Sequence, residues 1–164
     1  MVHIEEKSFG SKREMYESMF DALRALLEES GDRVANLANT SAFLKFFLEE
    51  TNWVGFYLVK NGVLVLGPFQ GKPAVTMIEP GHGVCGTALV QKKTQVVENV
   101  HKCENHIACD SASLSEIVVP MQKDGRVLGV IDIDSPAEAR FDEEDAAGLE
   151  KIARLLSEQI RWED

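Results

Sequence analysis

The sequence predicts an α+β domain: a mostly antiparallel sheet covered by N-terminal helices and a C-terminal helix. Three observations carry this. Apolar residues recur at three- and four-residue steps near both ends of the chain. Short runs rich in aromatic and β-branched residues fill the middle. Asn61-Gly62 and Lys123-Asp124-Gly125 each separate two such runs, as hairpin turns do. At 164 residues the chain has the length of one domain, residues 1–164. Hydrophobic residues make up 45% and charged residues 27%, which excludes a disordered or collagen-like chain.

The elements follow in order. From Ser11 to Ser30, Met15, Met19, Ala22, Leu23, Leu26 and Leu27 form the apolar stripe of a first helix. Gly31 ends it, and Asp32 caps the next. That second helix runs to about Glu50, with Val34, Leu37, Ala38, Phe43, Phe46 and Phe47 on its buried side. Trp53 to Val59 reads as a strand, and Val63 to Leu66 pairs back onto it until Gly67-Pro68 breaks the pairing. Ala74 to Ile78 is a further short strand, ended by Pro80 and Gly81. Gly83-Val84-Cys85-Gly86 leads into a helical stretch from Thr87 to Lys92, and Gln95 to Glu98 is one more strand. A polar, turn-prone loop runs from Asn99 to about Ser113. Strands at Glu116 to Met121 and Val127 to Ile133 close the sheet. Asp142 starts a last helix with Leu149, Ile152, Leu155, Leu156 and Ile160 on one side.

Charge and cysteine usage narrow the function classes. Acids outnumber bases 27 to 17, a net charge of −10. That argues against nucleic acid and against an anionic membrane surface, both of which call for basic patches. No apolar run approaches the ~20 residues that span a bilayer. The N-terminal segment, residues 1–12, lacks the apolar core of a secretory signal. Three cysteines, Cys85, Cys103 and Cys109, do not make a disulfide framework. Cytoplasmic residence and reduced thiols are the expectation.

Several residues could carry chemistry. Cys109 lies in the polar loop, in His106-Ile107-Ala108-Cys109-Asp110-Ser111. It is either a nucleophile placed by a rigid sheet or a small buried hydrophobe. Cys85 lies between glycines, which suits a tight turn or a close ligand, and a second thiol within reach would allow a disulfide cycle. His101, Cys103, His106 and Cys109 put four possible zinc ligands in one loop. Their spacing matches no common finger or ribbon, so no metal is expected. Asp132 and Asp134 stand two apart in an otherwise apolar strand, so both carboxylates point to one face. They call for a cation, a proton or water, for which a ligand ammonium would serve. Otherwise the strand end simply emerges into solvent. Glu116 starts another apolar strand, as a retained proton donor or as an exposed strand-end acid. Trp53 and Tyr57 share a strand face around Gly55, walling a small pocket or packing a core.

Taken together, six segments resemble the free methionine-(R)-sulfoxide reductases, single-domain members of the GAF fold. They are Asn52-Trp53-Val54-Gly55-Phe56-Tyr57, Gly67-Pro68-Phe69-Gln70-Gly71-Lys72 and Gly83-Val84-Cys85-Gly86-Thr87-Ala88. His106-Ile107-Ala108-Cys109-Asp110, Ser115-Glu116-Ile117-Val118-Val119-Pro120 and Gly129-Val130-Ile131-Asp132-Ile133-Asp134-Ser135 complete the set. The resemblance spans nearly the whole chain. It implies a thiol-dependent oxidoreductase of oxidative-stress defence that reduces free methionine-(R)-sulfoxide. It assigns Cys109 as catalytic cysteine, Cys85 as a second redox-cycle cysteine, Trp53 and Tyr57 as pocket walls, and Glu116, Asp132 and Asp134 as substrate-contacting carboxylates. Glu116, or one of the pair Asp132 and Asp134, is the acid that would assist the sulfoxide oxygen. Thioredoxin is the implied external reductant, with no bound cofactor, and the fold is compatible with a homodimer. Many members carry a further cysteine where this chain has Val75. Resolution of the sulfenic acid then falls to Cys85, to Cys103 or to an external thiol, with Cys85 preferred. A GAF domain that senses a small ligand without catalysis is the first competing reading, and a metal-binding regulatory domain that uses the loop thiols and histidines is the second.

Overall fold

The structure, a computed structural model, describes residues 8–28, 31–102 and 111–163. Helices α1 (Lys12–Glu28) and α2 (Arg33–Phe47) come first. Strands β1 (Trp53–Lys60), β2 (Val63–Gln70) and β3 (Met77–Ile78) follow, then helix α3 (Gly83–Gln91). Strands β4 (Gln95–Val97), β5 (Ser115–Lys123) and β6 (Arg126–Ser135) and helix α4 (Glu143–Gln159) complete the order. The strands form one sheet in the order β3-β2-β1-β6-β5-β4. Every pairing is antiparallel. The α+β architecture read from the sequence is the one observed. No helix among the described residues is long and apolar enough to cross a membrane.

Strand alternation divides the buried residues between two layers. One face of the sheet, with Val54, Phe56, Ile117, Val119, Ile131 and Ile133, packs under α1, α2 and α4. Met19, Leu23 and Leu27 reach it from α1, and Leu149, Ile152 and Leu156 from α4. The opposite face carries Trp53, Tyr57, Val118 and Val130 and is covered by Val84, Cys85 and Ala88 of α3. Burial on both faces explains why β5 and β6 read as nearly continuous apolar runs.

Local chemistry fixes the element ends. Asp32 caps α2 by accepting from Ala35 N at 2.8 Å. Asp142 caps α4 and exchanges hydrogen bonds with Asp145 in a capping box. Asp145 is fully buried and also takes bonds from Tyr16 Oη (2.8 Å) and Lys12 Nζ (2.6 Å), which ties α1 to α4. Asn61 and Gly62 have φ of 51° and 84°, and Asp124 and Gly125 have 51° and 75°. Both hairpins thus use the left-handed pairs that match strand twist.

Several boundaries differ from the sequence reading. Helix α2 stops at Phe47, and Val34, Ala38 and Phe46 are exposed. Its buried side is Asn36, Leu37, Thr40, Ser41, Phe43 and Leu44, a stripe partly polar and so hidden from an apolar count. Strand β3 is limited to Met77–Ile78. Strand β2 continues through Gly67-Pro68 to Gln70 rather than breaking there. Gly55 pairs with Phe69 and Tyr57 with Leu66, so Gly67 and Pro68 together oppose Phe56. That is a β-bulge, which excuses proline from the hydrogen-bond ladder. The extra residue also returns Phe69 to the face that carries Trp53 and Tyr57. Helix α3 begins at Gly83, which places Cys85 within its first turn. Strand β6 extends to Ser135, so Asp134 lies inside the sheet and does not emerge into solvent.

Candidate active site

The face of the sheet beneath α3 gathers Trp53, Tyr57, Glu116, Asp132 and Asp134, with Cys85 on the helix above it. Strand register sets them in rows. Trp53, Asp134 and Glu116 lie side by side across β1, β6 and β5, and Gly55, Asp132 and Val118 form the next row. Tyr57 and Val130 follow. Glu116, Asp132 and Asp134 are 5%, 6% and 6% exposed, so none is a solvated strand-end acid. The three cross to this one surface because Asp132 and Asp134 are two apart and Asp134 pairs with Glu116.

The aromatic side of the site is tightly built. Trp53 stacks on Phe69 at 5.1 Å between centroids and on Tyr57 at 6.0 Å. Its Nε1–H donates to the Lys72 carbonyl at 3.1 Å, and the Tyr57 hydroxyl donates to the Val75 carbonyl at 2.9 Å. These bonds draw the segment after β2 over the rings. Gly55 leaves no empty room between the rings. A Cβ there would lie 2.3 Å from Phe69 Cβ and 2.8 Å from Trp53 Cη2. The absent side chain is what allows Phe69 to close against β1.

Cys85 approaches from the other side. It is 4% exposed, and its Sγ lies within 4.8 Å of a carboxylate oxygen of both Glu116 and Asp132, which lie equally close to each other. A first-turn position favours a thiolate by only about 0.3–1 kcal/mol. Burial, reinforced by the charges of Asp132 and Glu116, wins and pushes the thiol well above its ordinary range. Cys85 is therefore a protonated thiol at neutral pH.

Glu116 and Asp132 hold their protons more tightly than ordinary carboxyls as well. Burial, then the Asp134 charge, pushes Glu116 up to about 8. Burial and the Glu116 charge raise Asp132 well above the carboxylate range. Side-chain hydrogen bonding links Asp132 both to Glu116 and to Cys85. Two carboxyls this close in a dry site share a proton rather than both ionise. Asp132 Oδ1 is buried and has no hydrogen-bonding partner among the described residues.

Cys109, Cys103 and His106 lie outside the described residues, so the loop cluster of thiols and histidines is not described; His101 is exposed. The two roots of that loop are held at the acid end of the sheet. Val100 N donates to Leu114 O, and Leu114 N donates to Ser135 O, each at 2.7 Å. Asn52 and Phe69 are site neighbours to which the sequence reading gave no role. Asn52 Nδ2 donates to Ser113 Oγ at 3.0 Å, and its own Oδ1 is a second buried acceptor without a partner among the described residues. The bulge-forming Gly67-Pro68 before Phe69 was the available signal for that ring.

Comparison with known proteins identifies the family. The model of the GAF domain family matches residues 20–160. Protein YtsP of Bacillus subtilis is 48% identical over 98% of this chain and 99% of its own length. The free methionine-R-sulfoxide reductase of Escherichia coli is 44% identical over 94% of this chain and 93% of its own. An X-ray structure of free methionine-R-sulfoxide reductase from Neisseria meningitidis, in complex with its substrate, superposes with a TM-score of 0.92 at 43% identity. It covers 97% of this chain and 95% of that one. With its buried acids, stacked aromatics and helix-borne thiol on one face of an antiparallel sheet, the chain belongs to the GAF domain family and, within it, to the free methionine-R-sulfoxide reductases.

Proposed function

We propose that this protein reduces free methionine-(R)-sulfoxide to methionine. The observation that carries the reading is the trio of buried carboxyls, Glu116, Asp132 and Asp134, on one sheet face beside Trp53 and Tyr57. Such a trio suits a free amino acid, whose α-ammonium offsets the crowded negative charge while one acid stays protonated.

The chemistry follows from these groups. The thiolate of Cys109 attacks the sulfoxide sulfur. The proton shared between Glu116 and Asp132 goes to the sulfoxide oxygen as the S–O bond yields, which general acid catalysis requires. Methionine leaves, reduced by two electrons, and Cys109 is left as the sulfenic acid. Cys85 then attacks the sulfenic sulfur. Its proton passes by way of Asp132, which interacts with it by hydrogen bonding, to the departing hydroxyl, which leaves as water as the disulfide forms. The dithiol of thioredoxin returns both cysteines to thiols and supplies the two electrons. Trp53 and Tyr57 hold the methyl-sulfur end of the substrate. No bound cofactor enters the scheme. Residues 1–164 act as one cytoplasmic domain in it, as a monomer or a homodimer.

The test is NADPH consumption with methionine-(R)-sulfoxide, thioredoxin and thioredoxin reductase. Stoichiometric NADPH oxidation with methionine formed is the expected result. Binding of the amino acid without NADPH oxidation would instead mark a ligand-sensing GAF domain.

A further inference from the structure

We propose that Cys85, Glu116 and Asp132 form an inhibitory site for one borderline divalent cation such as Zn²⁺, occupied in competition with the sulfoxide substrate. One atom from each, Cys85 Sγ and a carboxylate oxygen of Glu116 and Asp132, all lie within 4.8 Å of one another. Tetrahedral zinc, with bonds of about 2.0–2.3 Å, needs ligand atoms about 3.3–3.8 Å apart, which calls for a contraction of at most about 1–1.5 Å. The three come from α3, β5 and β6, and the two strands are paired along their length. The ligand positions are therefore largely preformed. All three residues are buried, and Asp132 Oδ1 has no hydrogen-bonding partner among the described residues. A buried acceptor in that state costs stability until a proton or cation reaches it.

The donor set selects the ion. One thiolate with two carboxylates suits zinc, and cobalt as its spectroscopic substitute, and disfavours magnesium and calcium, which take oxygen alone. Binding forms one metal–sulfur and two metal–oxygen bonds. The protons those atoms carried go to buffer, with no change of oxidation state. Competition rests on the proposed reductase reading, because the carboxyls that would hold the metal are those assigned there to the substrate. A metal-bound Cys85 is also withheld from the thiol cycle.

Cobalt titration of the reduced, metal-free protein tests the site without reference to turnover. One equivalent of Co²⁺ should give the visible bands of a tetrahedral site and a near-ultraviolet thiolate-to-cobalt charge-transfer band. Zn²⁺ should abolish both. Cys85→Ser should remove the charge-transfer band, and Cys103→Ser should leave it. Asp132→Asn should weaken cobalt binding by more than the about 10–100-fold that loss of an outer partner costs. Absence of the band, or a band that survives both Cys85→Ser and Asp132→Asn, overturns the site. In the coupled assay Zn²⁺ should raise KM for methionine-(R)-sulfoxide and, by holding Cys85, also lower kcat, whereas a fall in kcat with KM unchanged overturns the competition. A protein that binds cobalt as described but never oxidises NADPH would refute the reductase reading and keep the metal site.

Discussion

Glu116→Gln should make the protein less sensitive to alkaline pH while it lowers activity. In the folded state burial and Asp134 raise Glu116 to about 8, against an ordinary value of 4.5. A raised acid binds its proton more tightly folded than unfolded. Its contribution to stability is therefore complete below the ordinary value and is lost as pH rises toward 8. Between those limits one such proton changes stability by about 1.4 kcal/mol per pH unit. From pH 6 to pH 8 the parent should lose about 2–3 kcal/mol through this group. For a chain of this size that is a fall in Tm of about 5–10 °C. Glutamine is close in shape and carries no titrating proton, so the variant should lose much less over the same range and match or exceed the parent at pH 8. Calorimetric melting of both proteins at pH 6, 7 and 8, at one ionic strength and without substrate, gives the comparison. A parent Tm that is flat or rises from pH 6 to 8, or a variant with the parent's slope, refutes the shared-proton account of the acids.

Three further outcomes are expected. Cys109→Ser should abolish sulfoxide reduction and keep the parent's circular dichroism and melting; turnover within a few-fold of the parent removes Cys109 from the mechanism. Cys85→Ser should permit one stoichiometric turnover and slow thioredoxin-driven recycling, as read by a methionine burst without a steady state. If Cys103→Ser blocks recycling and Cys85→Ser does not, the resolving thiol is Cys103. Gly55→Ala should cost about 1–3 kcal/mol, in the range of overpacked cores, because the new Cβ lies 2.3 Å from Phe69 Cβ and 2.9 Å from its backbone Cα. Denaturant melting that finds the variant as stable as the parent contradicts the close β1–β2 packing.

The parts of this fold legible in the sequence are those set by local chemistry. The stripes of α1 and α4, the caps Asp32 and Asp142, and the left-handed Asn61-Gly62 turn all depend on residues within a few positions of one another. Strand periodicity likewise put Asp132 and Asp134 on one face. It did not show that the face is buried, because Ser135-Pro136 looks like the start of an exposed turn. Gly67-Pro68 reads as a breaker in isolation. It becomes a bulge only because Phe56 lies opposite and β1 supplies the ladder on either side. The approach of Cys85 to Glu116 and Asp132 joins residues 31 and 47 positions apart and depends on how α3 docks on the sheet. No spacing rule carries that information. The family resemblance supplied the roles of these residues, and the fold supplies the reason their protonation states are unusual.

The most direct test of the account is kcat/KM for free against N-acetylated methionine-(R)-sulfoxide. Acetylation removes the α-ammonium and leaves the sulfoxide untouched. A hydrogen bond to a charged group contributes about 1.5–3 kcal/mol. At about 1.4 kcal/mol per decade, its loss corresponds to about tenfold to a hundredfold in kcat/KM. The account predicts a preference for the free amino acid of at least that size. Asp134→Asn should erode that preference by lowering the rate with the free substrate more than with the acetylated one. Equal kcat/KM for the two substrates would contradict the claim that Glu116, Asp132 and Asp134 form a seat for the ammonium.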